Sequence, residues 1–183
     1  MVAANKVYCI RHFICRAILF LLITMPVNAA LQTKEYQVKA AFIIKLVPFV
    51  SWPEEEIPNK NKKLNFCFFE SSQQGAATRK LLLEDGNLKK NFNVLPVNQL
   101  QSCHILFISK TTNHHLDNLL RRTRDYEKIL TIGDSPSYAN KGVMINFFLE
   151  SGKIRFEVNW KAMKANNFKI SSRILKLARI VDE

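Results

Sequence analysis

No glycine signature of nucleotide or acyl chemistry occurs in this 183-residue chain. Gly-x-Ser-x-Gly, the Walker A loop and the dinucleotide-binding glycine cluster are all missing, and with them the enzyme classes they serve. No apolar run reaches the roughly 18 residues that a bilayer span needs. There are no internal repeats and no low-complexity segment. Cysteine is scarce, at four residues. Their spacing fits neither a zinc site nor a Cys-x-x-Cys redox pair.

The first thirty residues form a recognisable leader. Lys6, Arg11 and Arg16 precede a short apolar run, Ala17 to Met25, with no acidic residue among them. Pro26 breaks the run, and Val27-Asn28-Ala29 places small residues where a signal peptidase reads them. The expectation is a secretory signal over residues 1–29, cleaved after Ala29, and a single domain over residues 30–183. The alternative is an N-terminal anchor, but the run is about half the length of a span.

Export would place the domain in an oxidising compartment, here the periplasm. Cys9 and Cys15 would leave with the signal, so Cys67 and Cys103 would remain. They either form a structural disulfide, closing a loop of about 36 residues, or stay as two free thiols buried in neighbouring strands.

The charge is strongly basic: 27 Lys and Arg against 15 Asp and Glu, a net +12. The leader holds three of the basic residues and none of the acidic ones, so about +9 remains without it. Export argues against nucleic acid as the partner. An acidic protein, an anionic ligand or an anionic membrane surface would suit the charge, which also serves solubility.

Hydrophobic periodicity predicts an alternation of helices and strands. A helix is expected over Lys34–Val50, with Val38, Ala41, Phe42, Leu46 and Phe49 as its apolar stripe and Trp52-Pro53 as its stop. A charged loop follows over Glu54–Lys63. Strands are expected at Leu64–Phe69, Phe92–Val97, His104–Ile108 and Ile129–Ile132, and helices at Ala76–Glu84 and Asn113–Tyr126. That alternation argues a mostly parallel sheet between helical layers. Val143–Leu149 and Ile154–Val158, joined through Gly152, read as a β-hairpin. Short helices are expected at Trp160–Asn166 and Ser171–Ile180, the last capped by Ser171 or Ser172. The fold class is thus α/β: one three-layer domain, a mostly parallel sheet flanked by helices, with a C-terminal hairpin and a closing helix.

Candidate chemistry is sparse. His114 and His115 point about 100° apart on a helix and share one ion poorly. Cys103 and His104 face opposite ways along a strand, against a nucleophile pair. Asp134 follows a strand at its carboxyl end, where open α/β sheets bind ligands, or it caps its own turn. No catalytic, cofactor or metal residue is assigned. On the hairpin, Arg155, Glu157 and Asn159 share one face and Phe156 and Val158 the other. In the expected last helix, Lys169, Arg173, Lys176 and Arg179 form a cationic stripe, and Ile170, Ile174, Leu177, Ala178 and Val181 an apolar one. Trp52 and Trp160 lie at element ends, either exposed for a partner or buried.

Eight segments in order then carry a resemblance: Tyr36-Gln-Val-Lys-Ala-Ala-Phe42, Phe49-Val-Ser-Trp-Pro53, Cys67, Cys103-His-Ile-Leu-Phe-Ile108, Leu130-Thr-Ile-Gly-Asp134, Gly142-Val-Met-Ile145, Ile154-Arg-Phe-Glu-Val-Asn159 and Ser171-Ser-Arg-Ile-Leu-Lys-Leu-Ala-Arg179. Together they resemble the YfiR family of periplasmic proteins. The resemblance implies a compact α/β domain, often dimeric and often disulfide-bonded. It implies a regulator that binds and represses a YfiN-like membrane diguanylate cyclase, and a YfiB-like outer-membrane lipoprotein that sequesters the regulator. Cyclic-di-GMP, and hence biofilm formation, would follow. Arg155, Glu157, Asn159, Arg173 and Trp52 are the expected partner-binding residues, with Cys67 and Cys103 as the disulfide. A small-ligand-binding module serving another sensor or transporter is the alternative.

Overall fold

The structure, a computed structural model, describes residues 27–53, 63–70, 73–84, 86–111, 113–126 and 128–181. All but the last three residues of the expected signal segment lie outside them, as do residues 54–62 of the expected charged loop. The chain divides into two units, Met1–Lys34 and Glu35–Glu183, and the fold below is that of the second.

Helix α1 spans Val27–Leu46. Its buried stripe is Tyr36, Lys39, Ala40, Ile43 and Leu46. That differs from the expected stripe: Val38 is 43% exposed and Phe49 is 42% exposed. Pro48, not Pro53, ends the helix, since it sits at the start of a 3-10 turn over Val47–Phe49 and cannot donate to a longer α-helix.

The remaining elements are β1 (Val50–Ser51), β2 (Leu64–Phe69), α2 (Gln73–Leu83), α3 (Asn87–Asn91), β3 (Phe92–Pro96), β4 (Ile105–Ile108), α4 (Asn113–Arg124), β5 (Leu130–Gly133), β6 (Ile145–Glu150), β7 (Lys153–Asn159), α5 (Trp160–Ala165), β8 (Lys169–Ile170), α6 (Ser172–Leu175) and β9 (Arg179–Val181). Seven strands form one sheet in the order β3-β2-β4-β5-β6-β7-β9. Pairing is parallel from β3 through β6, antiparallel between β6 and β7, and parallel between β7 and β9. Strands β4 and β5 are buried at every position, as central strands covered on both faces must be.

The pleat sorts the core into two layers. Phe66, Phe68, Ile105, Phe107, Leu130, Ile132, Ile145, Phe147, Phe156 and Val158 join α1 on one face. Cys67, Leu106 and Ile108 join Leu116, Leu119 and Leu120 of α4 on the other. The expected three-layer α/β class is therefore observed.

The hairpin also forms where expected. Glu150 pairs with Lys153, and the two intervening residues, Ser151 and Gly152, have φ of 50° and 73°. Two positive φ values give the tight turn that matches strand twist.

The end of the chain departs from expectation. Ser171–Ile180 is not one helix. Ser171 caps a single turn, α6, its Oγ accepting from Arg173 N at 3.3 Å. The chain then extends into β9 beside β7, with Glu157 opposite Arg179 and Val158 opposite Ile180. Without β9, β7 would be an open edge of unpaired backbone groups, and pairing there outweighs the helical period of a short segment. The supposed apolar stripe is split as a result, and Leu177 is 67% exposed.

Candidate functional site

One register row crosses four strands. Gly133 of β5 lies opposite Asn146 of β6, Asn146 opposite Glu157 of β7, and Glu157 opposite Arg179 of β9. Residues opposite one another share a sheet face. Asn146 donates from Nδ2 to Glu157 Oε1 at 2.9 Å and to the Ser135 carbonyl at 3.0 Å. Glu157 Oε2 stands 4.0 Å from an Arg179 nitrogen. The Oδ1 atom of Asn146 is buried and has no hydrogen-bond partner among the described residues.

Gly133 makes this row possible. A Cβ there would fall 2.7 Å from Tyr138 Cδ2 and 2.9 Å from Asn146 Oδ1. Tyr138 in turn ties the ends of two strands together. Its hydroxyl donates to the Ser109 carbonyl and accepts from Thr111 N at 2.8 Å.

At the carboxyl end of β5 the row opens into a pocket of about 540 Å³, lined also by Glu35, Lys39, Asp134 and Phe148. Lys39 reaches Glu35 at 2.7 Å and Asp134 at 3.2 Å. Burial alone would lower the Lys39 pKa. The charge of Asp134, with Glu35 and Tyr36, outweighs it, and the net shift is upward. Tyr36 is also raised, first by burial and then by Asp134, although Thr78 hydrogen-bonds its hydroxyl. Asp134 thus neutralises a buried lysine on α1 while lining the pocket at the carboxyl end of its strand.

The expected partner residues fall into three groups. Arg155 is exposed on β7 and stands 3.8 Å from Glu150, which also binds Arg179 at 2.6 Å. Glu157, on the same face, is only 8% exposed, and Asn159 is 3% exposed. Arg155, Glu157 and Asn159 do share a face, as expected, but only its distal half, around Arg155, reaches solvent. Asn159 is committed to structure, accepting from Ala162 N as the cap of α5 and donating to the Ala139 carbonyl. Arg173 is exposed on α6, so the helical stripe that was to hold it does not exist. Trp52 is half-buried, edge-on to Phe168, with its indole N–H on the Lys128 carbonyl.

Cys67 and Cys103 form a disulfide, with Cα atoms 5.9 Å apart. It joins β2 to the entry of β4, and both residues are wholly buried. Cys103 is thereby unavailable as a nucleophile, and His104 accepts from Asn65 N through Nδ1. Among the described residues there is no cluster of His, Cys, Asp and Glu able to hold a metal ion. No described helix is long and apolar enough to cross a membrane.

Fold and site together define an open, mostly parallel α/β domain whose strand ends carry a buried ion pair and a polar row. The chain belongs to the YfiR/HmsC-like family, whose family model matches residues 36–179. That family is one of periplasmic regulators of cyclic-di-GMP signalling. No curated protein matches the sequence. Among solved structures, the chain is similar to an ABC domain from Streptococcus pneumonia, solved in complex with L-Trp, with a TM-score of 0.56 and 12% identity over 80% of this chain. It is also similar to a conserved domain protein from Vibrio cholerae, with a TM-score of 0.57 and 11% identity over 79% of this chain. The chain spans 62% and 59% of those two proteins, and at such identities the likeness is one of fold.

Proposed function

We propose that this protein is exported by a secretory signal, residues 1–29, which is then cleaved, and that it binds the periplasmic part of a YfiN-like membrane diguanylate cyclase and holds it inactive. A YfiB-like outer-membrane lipoprotein would compete for it, and the working form would be a homodimer. The observation that carries the reading is the far end of the hairpin. Arg155, Glu150 and Arg179 form a half-exposed charged surface around the nearly buried Glu157, on a sheet face with polar side chains where the opposite face has core. Fixed charges of that kind select partners and speed their encounter. The test is deletion and complementation. Loss of the gene raises cyclic-di-GMP; the full chain restores it, and a version without residues 1–29 does not. Unchanged cyclic-di-GMP on deletion, with the cognate cyclase intact, defeats the proposal.

A second reading rests on a separate observation, the orphan Oδ1 of Asn146 beside the pocket. A buried acceptor without a donor costs about 1–3 kcal/mol. A small molecule bearing an ammonium group would suit Asn146, Glu157 and Asp134, and the streptococcal neighbour was solved with one, L-Trp. Calorimetric titration of L-Trp into this protein and into its Asn146→Leu variant tests it. Heat from both alike, or from neither, removes the pocket reading.

A further inference from the structure

The cations of the chain are not equally compensated. Arg155 and Arg179 are paired with Glu150 and Glu157, and Lys39 with Asp134. From Trp160 to Val181 the sequence has six basic residues and no acidic one. Lys169, Arg173 and Lys176 are exposed there, and among the described residues none has a carboxylate within ion-pair distance.

Exposed apolar side chains accompany these cations. Only four large hydrophobic residues among those described stand out as exposed, and two of them lie here: Leu177 at 67% and Phe49 at 42%. The fold brings Phe49 to this segment. Strand β1 pairs with β8, Ser51 opposite Lys169, and Ser171 N donates to the Phe49 carbonyl at 3.0 Å. Leu177 closes the turn after α6, its N–H on the Ile174 carbonyl. Ile174 and Leu175 pack, partly buried, against the core, while Leu177 faces outward.

We propose that this surface, built from Phe49, Lys169, Arg173, Lys176 and Leu177, docks the protein on an anionic lipid bilayer. Unpaired cations are drawn to an anionic membrane, and flanking apolar side chains enter its headgroup region. A protein interface selects by opposed, geometrically fixed charge pairs, whereas among the described residues no carboxylate fixes these cations, which leaves them free to meet a diffuse layer of anionic headgroups. Such docking would confine a periplasmic regulator to the plane in which a membrane-bound partner sits. Each cation brought to such a surface adds about fivefold to the partition coefficient.

The test is sedimentation of the full-length mature protein with vesicles. Phosphatidylcholine vesicles containing phosphatidylglycerol should bind it, pure phosphatidylcholine vesicles should not, and added salt should release it. Lys169→Gln/Lys176→Gln should weaken binding about 25-fold, and Leu177→Ser about tenfold. Arg121→Gln/Arg122→Gln removes the same charge from α4, which covers the other sheet face, and should change binding by no more than about twofold. Equal loss in the α4 variant would mean attraction by net charge alone and would overturn the proposal. Absence of binding to the phosphatidylglycerol vesicles at low salt also overturns it, and leaves an acidic protein as the occupant.

Discussion

Lys39 and Asp134, 95 residues apart in sequence, meet at 3.2 Å with side chains 4% and 3% exposed. The pair joins α1 to the carboxyl end of β5. Breaking a buried pair costs more than the pair is worth, because the remaining charge is stranded. Lys39→Met should therefore destabilise by about 3–5 kcal/mol, a fall of about 6–20 °C in melting temperature. Lys39→Met/Asp134→Leu should recover most of that loss. A single variant costing under about 1 kcal/mol would show that solvent reaches the pair.

The same cluster sets the alkaline limit. Lys39, Tyr36 and Tyr138 all hold their protons more tightly in the fold than outside it. For Tyr138, burial is again the largest cause. A raised folded pKa gives stability that is fully present below the ordinary value, here 10.0 for tyrosine and 10.5 for lysine, and lost as the pH climbs through the folded value. Urea unfolding should show these groups contributing nothing variable near neutrality and a decline above about pH 10. Tyr36→Phe should make that decline shallower. A flat profile to pH 11 would contradict the assignment.

The sheet was legible because its strands are strongly patterned. Leu64–Phe69, the Ile105–Ile108 run and the hairpin around Gly152 need only local chemistry to be read. The site was not, for a physical reason. Lys39 sits on an amphipathic helix where a lysine reads as surface, and only its partner 95 residues away makes burial affordable. Asn146 lies in an apolar strand, where one polar residue gives no period. Residues 171–181 misled because Ile174, Leu177, Ala178 and Val181 fit a helical stripe, while the demand of β7 for an edge partner is invisible in the segment itself. One signal was available for Gly133: a glycine inside a strand marks a close approach.

Gly133→Ala tests that approach. The new methyl group would have to displace both the Tyr138 ring and the Asn146 amide, each held by hydrogen bonds. Overpacking of this kind costs about 1–3 kcal/mol. Combined with Tyr138→Ala, the penalty should be less than additive, because the atom 2.7 Å away is gone. Full additivity in thermal melts would place the clash elsewhere.

The disulfide should matter for stability and little for the site. Its loop of 36 residues is worth about 3–4 kcal/mol in the chain-entropy account. Cys67→Ala/Cys103→Ala should lose that amount and, under the proposed function, still lower cyclic-di-GMP at a permissive temperature. Both residues are buried, so the count needs denaturant without reductant: alkylation of residues 30–183 under those conditions should find no free thiol. Two alkylated cysteines there would refute the bond.

Separating partner contacts from scaffold is a matter of magnitude. Asn159 and Trp52 hold the fold through backbone partners, so Asn159→Ala should cost about 1–2 kcal/mol as a lost cap, and any loss of repression would follow from that. Arg155 differs, because its pair with Glu150 is half-exposed on both sides and such pairs contribute about 0–1 kcal/mol. Arg155→Ala should thus melt within a few degrees of the parent, by the roughly 2–4 °C per kcal/mol of a domain this size. At an interface, the same truncation costs about 2–5 kcal/mol of binding. Glu157→Gln keeps the shape and the bond from Asn146 while removing the charge that faces Arg179. Arg173→Ala probes an exposed cation on a separate element. If the hairpin is the contact surface, Arg155→Ala and Glu157→Gln release the cyclase with their folds intact, and Arg173→Ala does so only if the surface extends to α6. Full repression by both hairpin variants would move the contact elsewhere and leave the polar row a device for closing the sheet.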